Sequence, residues 1–162
     1  MENLLAVEYQ QKIVESTREF YFTADYRWSF REILENPCNS YKVARFNKMI
    51  FPFPKERKGQ LVELVGKIFS GDDYYDILVK MNEEGFFRSN LYEGSFFSKK
   101  FPRVQHELPF FSPARTIPGR QQGELLSPYF SARESGEKIL ILEDIKNSSK
   151  INILGVKIVE VL

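Results

Sequence analysis

One cysteine, one histidine and one tryptophan stand among 162 residues, and each scarcity closes off chemistry. The lone thiol, Cys38, admits no internal disulfide and no cysteine cage for zinc or an iron–sulfur cluster. It suits a reducing compartment, so a cytoplasmic protein is expected. The lone imidazole, His106, rules out a site with three histidine ligands. No apolar run approaches the length of a membrane-spanning helix. Residues 1–10 carry neither the positive leader nor the apolar stretch of a secretory signal, so neither a membrane span nor export is expected. The formal net charge of +1 excludes a strongly basic nucleic-acid coat and an acidic mimic of DNA.

What the chain has in surplus is phenylalanine, fifteen residues of it. Either the core is built from rings, or some rings lie at a surface that a partner covers. From Phe86 to Phe111 aromatics arrive every three or so positions, interleaved with Arg88, Lys99, Lys100, Arg103 and His106. The small net charge conceals a segregation. Residues 1–85 carry twelve Lys or Arg against fourteen Asp or Glu, residues 86–120 six against two, and residues 121–162 five against six. The middle of the chain is locally basic.

The length suits a single domain over 1–162, and the pattern predicts an α+β fold. Leu5, Tyr9 and Ile13 form one apolar stripe of a helix over 2–18. Residues 19–23 read as a short strand, and Ser29 with Glu32 has the spacing of a capping box for a short helix ending before Pro37. A strand is expected over 41–46, and Pro52 and Pro54 then stop regular structure. Leu61, Leu64, Val65, Ile68 and Phe69 predict a helix over 55–70. Asp72 or Asp73 caps a second helix carrying Tyr74, Ile77, Leu78 and Met81, with Gly85 as its stop. Together these make a helical hairpin at about 55–85, packed on a mainly antiparallel sheet.

After Gly85 the ring pairs and recurring prolines predict strand and loop, with a long surface loop over 112–128. Residues 138–143 and 150–161 are β-branched runs joined across 146–149, which predicts a C-terminal β-hairpin. The apolar phase shifts at Gly155, as a bulge would require.

No constellation of polar groups with catalytic spacing emerges, and no cofactor or metal is implied. Cys38 and His106 lie far apart in the chain, and nothing around Cys38 resembles a nucleophile turn. Residues 117–123 hold two glycines and an arginine but no Gly-Lys-Ser/Thr ending, so they are no phosphate loop. Asp72, Asp73 and Asp76 lack the spacing of a calcium-binding hand.

The expectation is therefore a non-enzymatic domain that binds a protein partner with an acidic surface, in the manner of an inhibitor or immunity protein. Its contact residues would be Phe96, Lys99, Lys100, Phe101, Arg103, His106, Arg115 and Arg120. Two other readings use overlapping features. Single-stranded RNA or DNA could stack on Phe96, Phe101 or Tyr92 between the cations. A metal-dependent nuclease could use Asp144 and Lys146, an acid two residues before a lysine on a strand.

Overall fold

A computed structural model describes residues 18–35, 39–41 and 45–162. Residues 2–17 of the expected helix and Cys38 lie outside this set. Among the described residues eight strands form one mixed sheet, accompanied by four helices, so the class is α+β.

The strands are β1 (Phe20–Asp25), β2 (Leu61–Gly71), β3 (Phe87–Arg88), β4 (Phe110–Phe111), β5 (Ile117–Pro118), β6 (Leu125–Ala132), β7 (Lys138–Asp144) and β8 (Ile151–Val161). The helices are α1 (Phe30–Glu35), α2 (Tyr74–Glu83), α3 (Leu91–Lys100) and α4 (Pro102–Glu107). Strand order is β1-β2-β8-β4-β6-β5, with β3 also on β8 and β7 on β6. Every pairing between these strands is antiparallel except β4 on β8, so the sheet is mainly antiparallel as expected.

Both faces of the sheet are covered, and this explains the largest departure from the sequence reading. On one face α3 packs against Phe20, Phe22, Val62, Leu64, Ile68 and Leu154. On the other, Tyr74, Ile77 and Met81 of α2 pack against Val65, Phe69, Ile151 and Ile153. A strand buried on both faces carries apolar residues at odd and even positions alike. Leu61–Phe69 therefore satisfies helical spacing while being β2. Only a single 3-10 turn at Lys55–Arg57 precedes it, so the helical hairpin over 55–85 is replaced by a strand and one helix.

The helical half of that expectation holds. Asp73 caps α2 by accepting the Asp76 N–H at 3.0 Å, and Gly85 follows its end at φ 81°. The β-branched runs at the end are the strands β7 and β8, yet they are not a hairpin. β7 pairs with β6, while β8 runs between β2 and β4. Nor is Gly155 a bulge, because it pairs regularly with Lys67. The register shift lies between Glu63 and Leu64, where Val159 is the extra residue opposite. Gly155 instead gives room: a Cβ there would stand 2.9 Å from the Phe69 ring and 3.0 Å from Met81 Cε. Of the strand expected over 41–46, residues 42–44 lie outside the described set, and neighbouring Ser40 makes an isolated bridge with Ile139. The long loop over 112–128 is interrupted by β5, which pairs with the start of β6.

Candidate functional site

The helix that organises the candidate site, α3, falls where strand and loop were expected. Asn90 accepts the Glu93 N–H at 2.7 Å, and Glu93 Oε1 accepts the Asn90 N–H at 2.8 Å, a reciprocal capping box. Leu91, Tyr92, Gly94, Ser95, Phe96, Phe97 and Ser98 are buried, whereas Lys99 and Lys100 occupy the exposed last turn. Cations there complement the negative end of the helix dipole.

Phe96 is only 5 % exposed, with its ring against Tyr26 and Trp28 at 5.8 Å each. Phe97, wholly buried, meets Phe20, Phe22 and Phe110 edge-on. Phe101 is partly buried against Phe20 at 4.9 Å. Most of the surplus rings thus build the core, with Phe87 left 69 % exposed, and Phe96 has little surface left for a partner. Tyr92 is buried too, its hydroxyl donating to the Phe51 carbonyl. Of the three rings assigned to base stacking, Phe96 and Tyr92 are buried and Phe101 is partly buried.

The expected cationic patch is divided. Lys99 and Lys100 reach the β1 end of the sheet. Arg115 and Arg120 are exposed beside β5, at the opposite end of the strand order. Arg103 and His106 are exposed on α4, where Arg103 pairs with Glu107 at 3.6 Å.

What Lys99 and Lys100 border is a groove of about 340 Å³. Its walls are Thr23 and Asp25 of β1, Leu61 of β2, Trp28 of the following turn, and Phe96 of α3. The Lys99 ammonium stands over the Trp28 ring, 4.0 Å from its centre. Arg27 holds Asp25 bidentately, with both N–O distances at 2.9 Å. Hydrogen bonding to Arg27 keeps this carboxyl below its ordinary pKa. Among the described residues no carboxylate lies within ion-pairing distance of Lys99 or Lys100. The groove therefore offers an apolar wall, a half-buried indole and two ammonium groups that lie over rings and form no ion pair among the described residues. Trp28, absent from the sequence expectation, is the residue that completes it.

Glu93 is the most perturbed acid. Burial pushes its pKa up to about 7, against the Asn90 N–H and the Arg57 charge, which both favour the carboxylate. Its oxygen is engaged in the capping box, so the shift belongs to the helix end. Asp144 is likewise engaged: Oδ1 accepts the N–H of Leu125 at 3.2 Å and of Lys146 at 3.1 Å, and Lys146 leans over the Tyr75 ring. Among the described residues no three His, Cys, Asp or Glu side chains gather as a metal site. No described helix is long and apolar enough to cross a membrane.

A second concavity, of about 370 Å³, lies against β7 beside Tyr41, Arg45, Arg133 and Ile139, and contains none of the expected contact residues. No protein-family model, curated protein or solved structure matches this chain.

Proposed function

We propose that this chain works by stoichiometric binding to a protein with an acidic surface, as an inhibitor or immunity protein does, and that it does so in the cytoplasm. The observation that supports the reading is the pair Lys99 and Lys100, without an ion pair among the described residues and set at the mouth of a groove walled by Trp28. Such a mouth draws in carboxylates from a distance and gives an aromatic surface for contact once they arrive. The contact set contracts to Lys99, Lys100, Trp28 and the exposed edges of β1, with Arg115 and Arg120 left outside it.

The test is capture from nuclease-treated native extract, with the wild-type protein and the Lys99→Glu/Lys100→Glu variant as parallel baits. One protein recovered in stoichiometric amount by the wild type and lost by the folded variant is the expected result. Equal recovery by both baits, or recovery of nucleic acid alone from untreated extract, would overturn the reading.

A further inference from the structure

The groove ends against a strand whose outer edge is unpaired among the described residues. Among the described strands β1 is outermost in the sheet and pairs only with β2. Tyr26 donates its N–H to the Gln60 carbonyl at 2.9 Å. Because backbone groups alternate in direction along an antiparallel strand, Ala24, Phe22 and Phe20 also address β2, while Tyr21, Thr23 and Asp25 point away from it. The Asp25 carbonyl accepts the Trp28 N–H at 3.3 Å. Tyr21 and Thr23 are left with two donors and two acceptors along an accessible edge. The usual protections are missing from β1: no proline interrupts it, its register with β2 has no bulge, and neither Tyr21 nor Thr23 is charged.

Charge flanks this edge at both ends. Arg18 lies over the Phe20 ring at 4.5 Å, and Lys99 and Lys100 close the other end at the groove. Of the nearby carboxylates, Asp25 is neutralised by Arg27, which leaves exposed Glu19 and half-buried Glu63, opposite Thr23 on β2, against three cations. An extended segment along the edge meets backbone partners in the middle and positive charge at its ends. Resting on the docking reading above, we propose that the acidic partner supplies such a segment, added to β1 as a further strand, with its carboxylates set against Lys99 and Lys100. Main-chain hydrogen bonds then hold the segment, and the Trp28 groove takes one of its side chains.

The probe is a short blocked peptide of alternating Glu and Val. Its control is the same peptide N-methylated on the residues that face β1, which keeps the charge but removes the donors. Amide exchange of the full chain is followed with and without each peptide. The unmodified peptide is expected to slow exchange at Tyr21 and Thr23 by about tenfold or more. The methylated peptide is expected to leave those amides unchanged.

Equal binding of the two peptides, or binding of neither, would overturn strand addition. The docking reading is decided separately, by the capture comparison of Lys99→Glu/Lys100→Glu with the wild type. Protection of Tyr21 and Thr23 without peptide would show that the edge is already occupied, by the chain itself or by a second copy, and would also overturn the proposal. Sedimentation distinguishes those two occupants.

Discussion

The Lys99 ammonium stands 4.0 Å from the centre of the Trp28 ring, and Trp28 is the only tryptophan of the chain. Indole emission therefore reports directly on the groove. Replacing Lys99 with Met is expected to shift the emission spectrum while changing the melting temperature by less than about 4 °C, since an exposed cation–π pair contributes about 0.5–1 kcal/mol. A larger fall in melting temperature would assign Lys99 to holding the turn after β1.

The division of the cationic residues gives a second expectation. Reversing Lys99 and Lys100 should slow association with the partner, with its effect concentrated in the on-rate and strongest at low salt. Reversing Arg115 and Arg120, at the far end of the sheet, should leave association unchanged. Surface plasmon resonance on both double variants checks this. Equal losses would mean that the contact wraps the whole sheet.

Glu93 should make stability depend on pH. Its folded pKa, about 7, lies above its ordinary value of 4.5, so the folded state binds the proton more tightly. This stabilisation is fully present below pH 4.5 and is lost as pH rises through 7. Glu93→Gln should flatten that slope and make the protein more stable than wild type at pH 8, by on the order of 2 kcal/mol. Urea denaturation at pH 5 and pH 8 measures both. A wild type without the slope would show that the carboxylate is better solvated than its burial implies.

Gly94 sits where α3 presses on the sheet. A Cβ there would stand 2.3 Å from Ser112 Oγ and 2.6 Å from Phe130 Cε2. Gly94→Ala is expected to cost about 3 kcal/mol through overpacking. Gly123→Ala, with open space around it but φ 87°, should cost only about 1 kcal/mol. Chemical denaturation of the pair compares steric crowding with backbone strain.

Gln105 is wholly buried and ties α4 to the sheet. Its Nε2 donates to Asn39 Oδ1 and the Ser131 carbonyl, both at 2.7 Å, and its Oε1 accepts the Ser98 hydroxyl. Gln105→Met removes these bonds and leaves Asn39 and Ser98 short of partners, for an expected loss of about 2–3 kcal/mol. The urea midpoint tests it.

Local chemistry was the legible part of this fold. The Ser29 and Glu32 box is present, with Glu32 N–H donating to Ser29 Oγ at 3.2 Å, and the Asp73 cap and Gly85 stop delimit α2 as their side chains and φ require. β2 was misread because two-sided burial erases the period-two signal. α3 was missed because its paired rings, Phe96 and Phe97, read as strand residues. The signal that would have found it, Asn90 followed three positions on by Glu93, was in the sequence. Strand partners were illegible for a different reason: nothing in the run Lys138–Asp144 records that β6 holds it or that β8 passes to the other side of β4. The groove shared that fate, since Trp28 and Lys99 meet only through the packing of α3 on β1.

The position of β8 bears on how the molecule is made. β1 and β2 precede it as one paired unit, and β4, β5, β6 and β7 precede it as another. Among the described strands only β8 joins the two. A growing chain on the ribosome can form each half but cannot close the sheet until residues 151–161 have emerged, so the flanks of β2 and β4 wait uncovered until then. That strand is the keystone of the sheet, and a nascent chain stalled before Ile151 should attract chaperones at those two waiting flanks.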